Sequence, residues 1–369
     1  MIIKPFTSNS IPVIQNTKYF TSHLLKWNAK HNNRMMPWKG EKDPYKIWLS
    51  EIILQQTRVE QGWEYYNRFI AAWPDITRLA KTPSVQVFKM WEGLGYYTRC
   101  KNLILTAQHI AVNLGGEFPQ TYDAILQLNG VGPYTAAAIS SFAYNLPHAV
   151  IDGNVSRVLA RFFGISIPID STEGKKLFSK MAGELLDLKQ PGHYNQALMD
   201  FGATVCKPQS PLCSTCPLKT KCKALLNNQV SLLPVKNKKP LKRTRWFYYF
   251  VIEYKGHWYL RKRVGKDIWQ NLFEFVLFES VSSLAVNKLR AHPQLKKIFA
   301  KATITNAGIS PVYRQELTHQ SIRGRFIHIK TNKLPDIKEY KAVPVNKMFA
   351  LPFPKFITTY LADKQKVYS

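Results

Sequence analysis

Leu128-Asn129-Gly130-Val131-Gly132-Pro133-Tyr134-Thr135-Ala136 is the stretch on which the fold turns. It joins two helical runs through a hairpin with glycine on both sides of Val131. Glycine lets the backbone approach a ligand closely, and the N–H groups that open the next helix point outward, where a phosphate can accept from them. Such a turn by itself reads as a tight helix–helix connection with no ligand, so the rest of the chain has to decide.

Around the hairpin, residues from about 17 to 228 read as helices separated by short turns. Ile47–Thr57, Val85–Trp91, Lys101–Val112 and Thr135–Ala143 carry apolar residues at helical spacing. Pro37, Pro74, Pro83, Gly93-Leu94-Gly95 and Gly115-Gly116 punctuate them. Neither a dinucleotide fingerprint nor a Walker-type loop is present. After residue 228 the character changes. Lys236–Arg245 (KNKKPLKRTR) holds six basic residues and no acidic one, as suits a solvated linker that can run along a phosphate backbone. Trp246–Tyr254, His257–Arg261, Leu272–Glu279 and Phe326–Lys330 alternate and are rich in aromatics, which are strand signals. The expected organisation is a mostly α-helical domain over 1–228, a basic linker over 229–245 and a smaller α+β domain over 246–369.

Charge narrows the partners. Lys and Arg number 52 against 23 Asp and Glu, a net charge of +29. That excess suits nucleic acid or an anionic membrane surface. No apolar run approaches the ~20 residues that a spanning helix requires. The opening MIIKPFTSNS has no continuous apolar segment behind its lysine, so a secretory signal is not expected either.

Four of the five cysteines crowd into one segment, Cys206, Cys213, Cys216 and Cys222, spaced C-x6-C-x2-C-x5-C. Four thiols so close serve no packing purpose and point to a metal centre in a reducing compartment, hence to a cytosolic protein. Structural zinc usually shows two C-x2-C pairs, and only one is present here, so a [4Fe-4S] cluster is the favoured reading over zinc. Cys100 lies far off in sequence and reads as an ordinary buried thiol.

Two carboxylates stand out as possible chemistry. Glu51 lies in Trp48-Leu49-Ser50-Glu51-Ile52-Ile53-Leu54-Gln55-Gln56-Thr57, whose first half is apolar on nearly all sides. Desolvation there favours the neutral acid and raises its pKa, as a proton donor requires; the alternative is a surface glutamate on a buried helix. Asp152 follows Ala149-Val150-Ile151 and precedes Gly153-Asn154-Val155. It reads as a helix N-cap or as a catalytic carboxylate, and a helix N-terminus that keeps it ionised allows both.

LSEIILQQTRV, GLGYYTR, GVGPYTA, IDGNVSRVLAR and the cysteine segment, in this order and approximate spacing, resemble the MutY-type adenine DNA glycosylases of the endonuclease III, helix-hairpin-helix superfamily. The match covers nearly all of residues 18–228. The resemblance implies a helix-hairpin-helix glycosylase fold in which Gly130 and Gly132 grip phosphate. Cys206, Cys213, Cys216 and Cys222 would hold a structural [4Fe-4S] cluster in a loop that Lys207, Lys219 and Lys221 make basic. By the same resemblance Glu51 protonates the adenine ring and later helps activate water, and Asp152 stabilises or transiently captures the sugar cation. Tyr134 and Asn154 assist in the pocket. Bifunctional relatives carry a lysine at the place of Tyr134 and form a Schiff base with the sugar. A phenol cannot, so base removal without lyase cleavage is expected.

A base inside a duplex must leave the stack before it can react. Residues matching Gln56, Thr57, Leu94 and Tyr96 meet 8-oxoguanine opposite the adenine in that family, with Leu94 and Tyr96 on a glycine-flanked turn suited to a wedge. Arg34 and Trp38 match positions near the extruded adenine. Core packing is the alternative for Trp38 and the Tyr96-Tyr97 pair.

Residues 246–369 resemble the family's Nudix-like C-terminal domain, most clearly in Asp267–Phe275, although no Nudix hydrolase signature is present. Leu317-Thr318-His319 aligns with a Phe-Ser-His loop that senses 8-oxoguanine. Thr318 keeps the hydroxyl, Leu317 loses the aromatic ring, and His319 has an ordinary surface histidine as its alternative. The implied protein is a monomeric adenine glycosylase acting on duplex DNA with A·8-oxoguanine or A·G mispairs. The rival readings are an endonuclease III-like glycosylase for oxidised pyrimidines and a non-catalytic module that binds DNA structure.

Overall fold

A computed structural model describes residues 16–237, 241–285, 304–333 and 337–368, with a few positions between 288 and 296. The chain forms two compact units: residues 1–76 with 109–238, and residues 77–108 with 239–369. The expected domain 1–228 is therefore not one contiguous unit. Short polar bonds explain why 77–108 groups with the C-terminal part. Glu92 accepts from the Phe353 N–H at 3.0 Å, and the Tyr97 hydroxyl donates to the Phe353 carbonyl at 3.4 Å.

Among the described residues, the helices before the sheet are α1 (Thr17–His31), α2 (Pro44–Leu54), α3 (Val59–Ala72), α4 (Ile76–Lys81), α5 (Ser84–Met90), α6 (Tyr97–Asn113), α7 (Tyr122–Leu126), α8 (Pro133–Tyr144), α9 (Gly153–Phe163), α10 (Thr172–Leu185), α11 (Pro191–Thr204) and α12 (Lys223–Leu226). Local signals set their ends. Asp43 caps α2 by accepting from Tyr45 N–H, with Pro44 in the first turn. Asp152 caps α9 by accepting from Val155 N–H, and left-handed Gly164 ends that helix. Phe20, Leu24 and Trp27, spaced along one face of α1, pack with Leu159, Phe178, Leu198 and Phe201 in a single core.

The second unit holds the strands β1 (Arg243–Tyr254), β2 (His257–Lys262), β3 (Phe273–Glu274), β4 (Val276–Ser280), β5 (Ile304–Ile309), β6 (Tyr313–Glu316), β7 (Gln320–Thr331) and β8 (Lys341–Pro344), then helices α13 (Val345–Met348) and α14 (Lys355–Tyr368). The path β3-β2-β1-β7-β5 carries the sheet, with β4 beside β1, β6 beside β7 and β8 beside β2. β1 and β7 pair in parallel from Arg243↔Gln320 to Glu253↔Lys330. β1 is buried on both faces instead of alternating, because one face meets Ile327 and Ile329 while the other meets Phe326 and Phe356. The expected strand Leu272–Glu279 is two strands, interrupted at Phe275.

The basic linker 229–245 falls partly outside the described residues. Its last three residues belong to β1. Arg245 is buried and paired with Asp267 at 2.8 Å and Glu279 at 2.6 Å, so this arginine is committed inside the protein and is not part of a solvated track.

Candidate active site

Glu51 sits in the middle of α2, a helix that buries almost every side chain. The residue as a whole is 6% exposed. Burial pushes its carboxyl up to about 7; a hydrogen bond from Tyr134 pulls the other way, and the negative charge of Asp152 adds to the rise. A carboxyl in that range is still protonated in part at neutral pH and can return as a base after giving up its proton. Tyr134 enters from the first turn of α8, immediately after the hairpin. Its own phenol is raised well above 10 by burial and the two acids, so it stays neutral and donates.

Asp152 approaches from the N-terminus of α9. One carboxylate oxygen accepts from Val155 N–H at 2.7 Å and the other from Asn154 Nδ2 at 2.7 Å. Asp152 thus caps the helix, and it lies close enough to Glu51 to act on its charge. Burial raises its carboxyl above the ordinary aspartate value, while these bonds and the Arg157 charge oppose the rise. Asn154 in turn accepts from Arg157 at 2.8 Å, and Arg157 also donates to the Cys206 carbonyl at 2.8 Å.

Glu51 lines a cleft of about 440 Å³ together with Trp38, Lys39, Ser50, Phe142 and His193; Tyr134 and Asp152 are not in its lining. Trp38 is buried and meets Tyr66 edge-on at 5.3 Å, so it forms a fixed wall. Arg34 is tied to Asp200 at 2.8 Å. Sequence reasoning missed Asp200, which is fully buried and accepts from Arg34, Lys39 (3.1 Å), Asn32 (2.9 Å) and Gln196 (3.0 Å). The signal was available: Asp200 is an acid inside the apolar run Ala197–Phe201, the same pattern that singled out Glu51.

In the hairpin, Gly130 adopts φ +76, which favours glycine. Gly132 differs: its φ is −100, and a Cβ placed there would meet nothing within 4 Å. Neither backbone nor packing demands glycine at 132, and the open space in front of it leaves room for another molecule's backbone. Gln55 donates to Thr135 Oγ1 at 3.3 Å, joining α2 to α8. Gln56 follows, exposed and in a left-handed conformation at φ +57, with Thr57 half-buried beside it. A non-glycine residue held in that conformation stores strain of the kind found at binding sites.

The four cysteines of the 206–222 segment are all half-buried free thiols. Cys206, Cys216 and Cys222 pack against one core. Arg161 donates to Cys206 Sγ at 3.5 Å, and the Cys222 thiol donates to the Arg161 carbonyl at 3.6 Å. Burial pushes the Cys216 thiol up to about 12, against a backbone hydrogen bond at Leu218, and the other three cysteines add to the rise. Among the described residues no group of three or more such side chains is drawn into metal-holding geometry. The donor set nonetheless suits an iron–sulfur cluster, being four thiols of one short segment that sense one another's charge. Cys100 is fully buried, as expected for a packing thiol.

In the second unit, Leu317, Thr318 and His319 form the turn between β6 and β7, closed by Leu317 N–H to the Gln320 carbonyl at 2.8 Å. The turn exposes Thr318 and His319. Thr318 Oγ1 lies 2.5 Å from the Tyr96 hydroxyl. Both line a pocket of about 340 Å³ with Leu94, Lys101 and Gln270. Tyr96 is 46% exposed and left-handed at φ +47, whereas Leu94 is 6% exposed. Of the two wedge candidates only the tyrosine presents its side chain to solvent.

A glycine hairpin opening a helix whose second residue, Tyr134, bonds a buried acid on α2 is an arrangement that fits the helix-hairpin-helix DNA glycosylases. Residues 49–182 match the model of the HhH-GPD superfamily base excision DNA repair protein. The adenine DNA glycosylase of Buchnera aphidicola subsp. Baizongia pistaciae is 35% identical over 319 residues, 86% of this chain and 88% of that protein. The human adenine DNA glycosylase is 40% identical over 214 residues, 56% of this chain and 39% of that protein. The chain belongs to the adenine DNA glycosylases, enzymes of base excision repair. Among solved structures, a thermostable thymine-DNA glycosylase aligns with a TM-score of 0.54 at 30% identity, covering 57% of this chain and 97% of that one. An endonuclease III–DNA covalent intermediate aligns at 0.51 and 20% identity, over 58% and 97%, which supports the fold. No helix of the described residues is long and apolar enough to cross a membrane.

Proposed function

We propose that the chain hydrolyses the N-glycosidic bond of adenine paired with 8-oxoguanine or guanine in duplex DNA, with Glu51 as the proton donor. The observation that carries this reading is the buried Glu51 carboxyl, held by the Tyr134 hydroxyl and raised to about 7. With adenine extruded into the Glu51 cleft, the carboxyl gives its proton to a ring nitrogen. The bond between the sugar and the base then breaks, and its electrons leave with the neutral base. Asp152, fixed by Val155 and Asn154, faces the positive charge that develops on the sugar. The Glu51 carboxylate takes a proton from the water that adds to the sugar, which restores the acid and leaves an abasic site. Arg34 and Trp38 border the base. No lysine stands at 134, so no Schiff base forms there.

The second unit is proposed as a Nudix-like domain that reads the opposite base, with Thr318 and His319 at the tip of its turn and Tyr96 beside them. Gln56 and Thr57 contact the same base, and Gly130 and Gly132 receive a backbone phosphate. Removing an undamaged adenine demands such a reader, because otherwise every A·T pair is a substrate. Cys206, Cys213, Cys216 and Cys222 are proposed to hold a [4Fe-4S] cluster, whose part is structural and electrostatic. The thiols favour a reducing compartment, the cytosol, and the chain is proposed to act as a monomer.

The test is single-turnover excision of one adenine placed opposite 8-oxoguanine, guanine, cytosine or thymine in turn. Release opposite the first two bases and not opposite thymine is expected. Equal release opposite thymine would refute the mispair reading.

A further inference from the structure

Helix α1 separates two clefts. Asn28 and Asn32, one turn apart, line the Glu51 cleft, with Asn32 bonded to Asp200 at 2.9 Å. His23, Lys26, Lys30 and His31 line a second cleft of about 530 Å³, whose far wall includes Leu212, Thr215 and Pro217 of the cysteine segment. At about 3.6 residues per turn, Lys26 and Lys30 stand on the side of α1 opposite Asn28.

The second cleft is built and carries uncompensated charge. Trp27 forms its floor, buried and edge-on to Phe201 at 5.0 Å. The Tyr19 hydroxyl donates to the Pro217 carbonyl at 3.2 Å, which ties α1 to the opposite wall. The lining contains four basic side chains and no carboxylate. Neither Lys26 nor Lys30 has a hydrogen-bond or ion-pair partner among the described residues. On the other side of α1 the cations are satisfied, since Arg34 and Lys39 meet Asp200 at 2.8 and 3.1 Å. Two lysines held beside a buried tryptophan without a counter-charge suit an anion from outside.

We propose that this cleft holds the sugar-phosphate backbone of the DNA flanking the target adenine, with Lys26 and Lys30 each neutralising a phosphate. The proposal rests on the reading that the Glu51 cleft takes the extruded base. A helix with its side chains is ~10–12 Å across, and a strand rises ~3.4 Å per nucleotide. A strand running past the Glu51 cleft therefore reaches Lys26 and Lys30 about three nucleotides away.

The experiment measures binding of the full-length Lys26→Ala/Lys30→Ala protein to an A·8-oxoguanine duplex across a salt series, beside single-turnover excision at saturating enzyme. Loss of two phosphate contacts lowers the slope of log K against log salt by about 1–2 and weakens binding about tenfold or more near 0.1 M salt. The saturated excision rate stays unchanged, and Lys26→Arg/Lys30→Arg restores both slope and affinity. Lys175→Ala/Lys176→Ala, which removes the same charge from exposed positions on α10, keeps the parent slope. An unchanged slope in the first variant, or an equal loss in the α10 control, overturns the proposal. So does a polyglutamate peptide that binds the parent but not the first variant while the DNA slope is the same in both, because an acidic protein segment would then be the occupant. A parent protein that binds with the expected slope yet releases no adenine defeats the Glu51 reading instead, which keeps the two failures apart.

Discussion

The Tyr134 hydroxyl donates a hydrogen bond to the Glu51 carboxyl, and that contact joins the glycine hairpin before α8 to the buried acid of α2. Tyr134 is the second residue of α8 and Glu51 lies mid-α2. The turn that opens α8 therefore also fixes the buried acid of α2.

Glu51→Gln keeps the shape and hydrogen-bonding capacity of the side chain but removes the transferable proton. Excision is expected to fall by about 10²–10⁴-fold, the usual contribution of a positioned acid, while duplex affinity persists. Single-turnover release of adenine, with a binding titration alongside, checks this. Normal release by the variant would remove Glu51 from the mechanism.

The same carboxyl sets a pH dependence of stability with a definite sign. Its pKa is about 7 in the folded protein against an ordinary 4.5, so folding favours the protonated form. The contribution is fully present below 4.5 and is lost as pH rises to 7. Above that, the buried carboxylate costs about 3 kcal/mol, from ~1.4 kcal/mol per pKa unit. Glu51→Gln should be more stable than the parent at pH 8, with the advantage gone near pH 4. Denaturant melts of both proteins at the two pH values decide the matter, and an advantage that grows toward acid pH contradicts it.

Tyr134→Phe deletes the hydrogen bond that holds the Glu51 carboxyl down. The acid should then titrate above about 7, moving the alkaline limb of the excision profile to higher pH. Neither the parent nor this variant should be trapped on DNA by borohydride, whereas Tyr134→Lys supplies the missing amine. An efficient lysine cross-link in the parent would mean lyase chemistry.

Thr318→Val removes the hydroxyl that lies 2.5 Å from the Tyr96 hydroxyl at nearly constant volume. The ratio of excision opposite 8-oxoguanine to excision opposite guanine should shrink, while the rate opposite guanine stays near that of the parent. An unaltered ratio would take Thr318 out of lesion reading.

Glu274 is 1% exposed and accepts from Arg261 at 2.9 Å and also from Arg263. Arg263 also meets Asp267 at 2.9 Å, at the head of the loop that lines the Thr318 pocket. Glu274→Ala removes the buried acceptor shared by two half-buried arginines, which keep only Glu339 and Asp267 as partners, and costs about 1–3 kcal/mol. Thermal unfolding of the full chain reads this directly. A melting curve like the parent's would show that the network is worth little.

Local chemistry explains which elements were legible in the sequence. Helices α2 and α8 follow from apolar spacing, with a proline in the first turn of each. The turn signals around Gly130 and Gly164 depend on residues a few positions apart. Other features are not local. β1 was readable as a strand, but its burial on both faces depends on β7 and on α14, which lie far along the chain. The grouping of 77–108 with the C-terminal unit depends on Glu92 and Tyr97 finding Phe353, and no periodicity in 77–108 encodes that partner.

The candidate site divides the same way. Sequence alone determined which side chains were available: an acid in an apolar helix, a phenol after a glycine hairpin, an aspartate at a helix start, four cysteines in one segment. Tertiary structure decided which of them share an electric field. Ionisation depends on burial and on charges brought close by folding, so the rise of Glu51, the four donors around Asp200 and the solvent-facing Tyr96 beside a buried Leu94 emerge only when distant segments pack together.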